Sequence, residues 1–170
     1  MQKENSMLKM AGHSIVFQEV PDEISLAIEI TGCRHHCEGC HSQHLWEDTG
    51  EPVMNVLPLL LENYKGLITC VCFMGGDHDQ QCLTDIADYV RNRGLKTCLY
   101  TGLDSVTDLH SHLLTHLNYA KVGRWNALRG PLSDPNTNQR FYKLKTILNS
   151  DGSLTLITTD YTDKFRRKEL

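Results

Sequence analysis

The chain has 170 residues, 40% apolar and 22% charged, which fits a single domain over residues 1–170 with enough core to need no disulfide staples. Lys and Arg total 17 against 21 Asp and Glu, and the net charge of −4 gives no electrostatic basis for broad nucleic-acid binding. No apolar run approaches the ~20 residues of a membrane span, and MQKENSMLKMAGHS lacks the apolar heart of a signal peptide, so no membrane partner and a cytoplasmic location are expected.

Residues 13–20 suggest a short first strand. Residues 24–30, ISLAIEI, alternate apolar and polar and stop at Thr31-Gly32, as a strand feeding a loop does. From Gly32 to Asp48 the chain is rich in Cys and His with neither a helical nor a strand period, which predicts a functional loop. Leu57, Leu60, Leu61 and Tyr64 recur at helical spacing, with Pro58 expected in the first turn of that helix, where proline is tolerated. LITCVCFM at 67–74 is a continuous apolar run ended by Gly75-Gly76, which suits a strand buried on both faces. Leu83, Ile86, Ala87 and Val90 predict a second helix closed by Gly94, LKTCLY at 95–100 the next strand, and Val106, Leu109, Leu113 and Leu117 a third helix. YAKV at 119–122 predicts a fourth strand. Residues 124–139 form a loop with Gly130-Pro131 and Asp134-Pro135, and 140–148 and 153–159 predict a hairpin around Asp151-Gly152.

Strands alternating with helices imply βαβ units and a mainly parallel sheet of the α/β class, with a core over about 13–148 and a tail at 149–170 that supplies one hairpin strand and a frayed end. At 170 residues the chain falls short of the ~250 of a closed eight-stranded barrel, so an incomplete βα barrel is expected. Chemistry in such sheets sits at the carboxyl ends of the strands. Cys33, Gly75-Gly76-Asp77, Thr101-Gly102 and Gly123-Arg124 all lie just past a predicted strand end, on one rim.

Seven cysteines in a reducing compartment remain free or bind metal, and three of them, Cys33, Cys37 and Cys40, fall within eight residues as C-x3-C-x2-C. Three thiolates on a short loop can each ligate one iron of a cubane, leaving the fourth iron open to a small molecule, whereas electron-transfer ferredoxins supply four cysteines. The rival is structural zinc, with His41 or His44 completing a Cys3His set. The plainest alternative is a loop that merely contains cysteines. Cys70 and Cys72 share one side of a strand and Cys98 lies in the next, which admits a redox or second cluster site but is more simply core packing. Cys82 belongs to a helix surface or boundary. His35, His36, His41 and His44 either surround the mouth of the site or cover a bound cofactor.

The C-x3-C-x2-C loop after the first main strand resembles the cluster motif of the radical S-adenosylmethionine superfamily. Phe73-Met74-Gly75-Gly76-Asp77 is similar to that superfamily's glycine-glycine-acid segment, which contacts the amino group of the cofactor. Arg129-Gly130-Pro131-Leu132 and Thr137-Asn138-Gln139-Arg140-Phe141 resemble the C-terminal part of the activating proteins of anaerobic ribonucleoside-triphosphate reductases, as do Tyr100-Thr101-Gly102 and the glycine before the last cysteine of the motif. The resemblance spans most of residues 24–145. It implies a 4Fe-4S cluster on Cys33, Cys37 and Cys40, S-adenosylmethionine held by Gly75, Gly76, Asp77, Thr101 and Gly102, and contacts to cofactor or partner from Asn138, Gln139 and Arg140, with no catalytic residue beyond cluster and cofactor. It further implies reductive cleavage of S-adenosylmethionine to a 5′-deoxyadenosyl radical, which takes a hydrogen atom from a glycine of the large reductase subunit. An external one-electron donor such as a flavodoxin or ferredoxin completes the set of partners. The alternatives are another glycyl-radical partner, a small-molecule substrate or, outside this class, a zinc-stabilised binding module.

Overall fold

The computed structural model describes residues 7–166. Strands β1 (Lys9–Val16), β2 (Ser25–Ile30) and β3 (Glu51–Pro52) lead into helix α1 (Val53–Asn63). Then come β4 (Cys70–Met74), α2 (Gln80–Arg91), β5 (Lys96–Tyr100), α3 (Ser111–Thr115), β6 (Tyr119–Val122), β7 (Arg140–Leu148) and β8 (Leu154–Asp160). All eight strands join one sheet in the order β3-β1-β2-β4-β5-β6-β7-β8, which does not close. The expected parallel sheet is confined to its centre: β2, β4, β5 and β6 run parallel, joined by crossovers, while β1, β3, β7 and β8 add antiparallel pairings on the two flanks. The flanking strands are reached through short connections or loops without a crossover helix, and such connections reverse the chain.

The apolar period sorts side chains between two faces. On β4, Val71 and Phe73 face the helices, where they pack with Ile28, Leu57, Leu83, Leu99 and Leu113. Cys70 and Cys72 face the other way, into a second cluster with Val20, Cys98, Tyr119, Leu132 and Phe141. Both faces of the central strands are therefore buried, which is why LITCVCFM is apolar throughout. On the inner face the parallel register stacks side chains in rows. Ala27, Cys72, Cys98 and Tyr119 form one row, and Glu29, Met74, Tyr100 and Lys121 form the next, at the carboxyl ends of the strands.

Four expectations are corrected. The first strand begins at Lys9, not residue 13, and residues 17–24 leave the sheet, with Val20 buried against the inner face. Helix α1 starts at Val53, whose N–H donates to the Leu8 carbonyl, so Pro58 lies in the second turn and removes one helical hydrogen bond there. The third helix is broken: residues 106–108 form a single 3-10 turn closed by a Ser105/Asp108 capping box, Leu109 and His110 are extended, and α3 follows. Val106, Leu109, Leu113 and Leu117 are all buried nonetheless, so the stripe recorded burial and not continuous helix. Residues 162–165 are no frayed tail. They form a 3-10 turn whose Thr162 is buried and whose Phe165 ring lies 5.0 Å from that of Phe141. Residues 167–170 lie outside the described residues.

Candidate functional site

Beyond β2 the chain makes a loop pinned at its base: the Gly32 N–H donates to Glu47 O and the Cys33 N–H to Leu45 O. Gly32 sits at φ +82, a turn that a side chain would strain, and a Cβ there would lie 3.0 Å from His78 Nε2. The loop carries Cys33, Cys37 and Cys40 to the wall of an open cavity of about 290 Å3. Its other walls come from the ends of the parallel strands and the turns after them: Glu29, Met74, Gly75, Asp77, Tyr100, Thr101, Gly102, Lys121, Gly123 and Trp125.

All three thiols are half-buried. The Cys33 thiol is pushed up by burial, against backbone N–H bonds from His35 and His36 that favour the thiolate. The Cys40 sulfur accepts the Ser42 N–H at 3.3 Å. Among the described residues, no three His, Cys, Asp or Glu side chains converge where they could hold a single ion. The His41 ring lies against Trp125 and His44 Nε2 lies 3.7 Å from Glu29 Oε2. Thiols spread around a cavity suit a polynuclear cluster, in which each thiolate binds a different iron.

Across the cavity, Asp77 Oδ2 takes a hydrogen bond from Thr101 Oγ1 at 2.7 Å and lies 2.6 Å from His35 Nε2. Burial works to raise this carboxyl, but the bonds from His35 and Thr101 outweigh it and hold Asp77 below the usual value, as a carboxylate. His35 packs so closely on Gly102 that a Cβ there would lie 2.7 Å from the imidazole, which gives residue 102 a steric reason to be glycine. Lys121, last in its row, is half-buried. Burial lowers its pKa to about 8, opposed by the nearby thiols of Cys37 and Cys40, and Nζ donates to Gly123 O at 3.0 Å. At neutral pH it remains mostly an ammonium facing the cysteine loop.

The structure thus brings Cys33, Cys37, Cys40, Gly75, Asp77, Thr101 and Gly102 to one cavity. Gly76 instead turns into the core, where a Cβ would meet Ile30, Leu8 and Leu83. Asn138, Gln139 and Arg140 do not line the cavity. Asn138 Nδ2 donates to Arg124 O, Gln139 Nε2 to Gly123 O, and Arg140 Nη1 to the carbonyls of Thr137 and Gln139, so these side chains brace the 124–139 loop. Cys70, Cys72 and Cys98 are fully buried one and two rows below, and burial raises the Cys70 and Cys98 thiols well above their ordinary value, which keeps them neutral. Neutral thiols in an apolar layer are packing groups, not ligands.

Sequence reasoning missed Lys121 and Trp125. A lysine within the short strand YAKV was a signal, because period two places it on the same face as Tyr119. Trp125 gave none beyond its place just after a strand end.

No curated protein and no solved structure matches the chain. A family model described as "4Fe-4S single cluster domain" matches residues 24–140, from β2 through the cysteine loop and all four parallel strands to the start of β7. With three thiols on the wall of a cavity at the strand ends, and a match over more than half its length, the chain belongs to the 4Fe-4S single cluster domain family.

Proposed function

We propose that this protein is a radical S-adenosylmethionine enzyme that installs a glycyl radical on a large anaerobic ribonucleoside-triphosphate reductase, its open sheet serving as an incomplete barrel. The observation that carries the reading is the pairing of charges opposite the cysteine loop. One cavity presents three thiols, the Asp77 carboxylate and the Lys121 ammonium. The amino-acid end of S-adenosylmethionine would offer its amino group to Asp77 and its carboxylate to Lys121.

Cys33, Cys37 and Cys40 would hold the cluster, which supplies the electron that splits the cofactor's carbon–sulfur bond into methionine and a 5′-deoxyadenosyl radical. Asp77 binds and orients the amino group, with Thr101 and His35 fixing the carboxylate. Lys121 neutralises the carboxylate end. Met74 and Tyr100 form the floor between these two charges, and with the loops above they keep water from the reacting face. The resemblance of residues 129–141 to the reductase activators supports the reductase as partner. Electrons would come from a flavodoxin or ferredoxin.

The test is anaerobic. Cluster-loaded protein, a strong reductant and S-adenosylmethionine should yield methionine and 5′-deoxyadenosine. Adding the large reductase should produce a carbon-centred radical with a doublet electron paramagnetic resonance signal, which disappears when the target glycine is replaced. Cleavage without any reductase radical would redirect the proposal to a small-molecule substrate. A loaded cluster that never cleaves the cofactor would end it.

A further inference from the structure

The chain contains only two tryptophans, and in both the indole Nε1 is buried without a hydrogen-bond partner among the described residues. An indole N–H is a donor with no acceptor capacity, and a buried donor left unpaired is rare enough to need a reason. Both rings flank the cysteine loop. Trp46 stacks on His36 at 4.5 Å and lies outside the cavity lining. Trp125 lines the cavity itself. Its ring lies against His41, and its Nε1 is 3.7 Å from where a Cβ on Gly39 would sit, between Cys37 and Cys40 in the chain. The loop's other sulfurs are already served: Cys33 by the N–H groups of His35 and His36, and Cys40 by that of Ser42.

We propose that Trp125 is a positioning residue for the iron–sulfur cluster, its indole N–H donating to a sulfur on the Cys37–Cys40 side. Hydrogen bonds to cluster sulfurs favour the more negative, reduced state and raise the reduction potential. Gly39 leaves the approach clear, because a side chain there would stand beside the indole N–H. The ring closes the cavity wall, and its donor tunes the cluster. The inference rests on Cys33, Cys37 and Cys40 as ligands and is independent of S-adenosylmethionine chemistry.

The experiment uses the full chain, reconstituted with iron and sulfide and without S-adenosylmethionine. Wild type, Trp125→Phe and Trp46→Phe are compared for iron and sulfide content and for midpoint potential. Trp125→Phe should keep the cluster, since the packing ring remains. Its reduction equilibrium constant should fall at least threefold, a midpoint about 28 mV more negative at 59 mV per decade for one electron. Trp46→Phe should match wild type. A Trp125→Phe potential equal to wild type, or an equal shift in Trp46→Phe, overturns the proposal. If Trp125→Phe fails to assemble a cluster, the wild type labelled with indole 15N decides. Pulsed electron paramagnetic resonance of its reduced cluster should show coupling to one indole nitrogen, and no coupling rejects the inference. Absence of iron and sulfide from wild type would instead remove the ligand assignment beneath it.

Discussion

Replacing Asp77 by Asn keeps the shape of the side chain and removes its charge, so it isolates the electrostatic share of cofactor binding. A hydrogen bond to a charged group contributes about 1.5–3 kcal/mol. At 1.4 kcal/mol per decade that range corresponds to a Kd weakened about 10- to 100-fold. The structure points to the low end, because Asp77 Oδ2 is already engaged by His35 at 2.6 Å and by Thr101 at 2.7 Å. A cofactor ammonium approaching Oδ2 would share that oxygen with His35, so the net gain there is a difference between two interactions. Removing the competitor tests this: His35→Ala should bind S-adenosylmethionine at least as tightly as wild type. Adding Asp77→Asn to His35→Ala should cost more than Asp77→Asn alone, approaching 100-fold. Anaerobic titration calorimetry on cluster-loaded protein measures all four affinities, with iron and sulfide content as the control. Asp77→Asn within twofold of wild type in both backgrounds would refute the role of this carboxylate.

Ala substitution at Cys33, Cys37 or Cys40 should abolish iron and sulfide binding, while Ala at Cys70, Cys72 or Cys98 should preserve both and cost about 1 kcal/mol in urea unfolding through the small void left in the inner layer. Glu23 is buried against Lys96 and the Tyr119 hydroxyl; burial works to raise its pKa, but these hydrogen bonds hold it below its ordinary 4.5. Its stabilisation is therefore complete above pH 4.5 and lost as the pH falls through the folded value. Glu23→Gln should cost about 1–2 kcal/mol at neutral pH, the low end applying because Lys96 is half exposed, and should flatten the acid limb of the stability curve; an unchanged limb would assign acid sensitivity elsewhere. Phe141 is fully buried with its ring edge-on to Tyr100 and beside Tyr119 and Phe165, so Phe141→Ala should cost about 3–5 kcal/mol in thermal or urea unfolding. A loss under 1 kcal/mol would mean that the inner layer collapses to fill the space.

The site was legible where chemistry is local in sequence. Cys33, Cys37 and Cys40 declare themselves by spacing, and Asp77 and Thr101 by their place after strands that end on a common rim. Lys121, despite the signal of a lysine within YAKV, and Trp125 were missed, because each reaches the cavity only through neighbours far away in the chain. Lys121 lies opposite Tyr100 through parallel register, and Trp125 Nε1 lies 3.7 Å from where a Cβ on Gly39 would sit. Asn138, Gln139 and Arg140, expected from their motif to contact cofactor or partner, also donate hydrogen bonds to backbone carbonyls between Gly123 and Gln139, a bracing role that their motif did not reveal.

From the sequence alone came the α/β alternation, the central strands buried on both faces, the functional loop and its three cysteines. These follow from apolar period and ligand spacing, which act over a few residues. Only the tertiary structure decided the antiparallel pairing of β1 and of β7 with the central strands, the break in the third helical stripe and the return of Tyr161 and Phe165 onto the inner face. Strand direction depends on how connections cross the sheet, and a buried stripe specifies which residues avoid water, not whether the backbone between them stays helical. Tertiary structure also decided which cysteines face the cavity. Period two sends Cys70, Cys72 and Cys98 to the same inner face as Met74 and Tyr100, one and two rows deeper, where all three are fully buried and burial keeps the Cys70 and Cys98 thiols neutral. The cluster loop alone presents its thiols at the open rim, near the half-buried Lys121 and an indole N–H without a partner among the described residues.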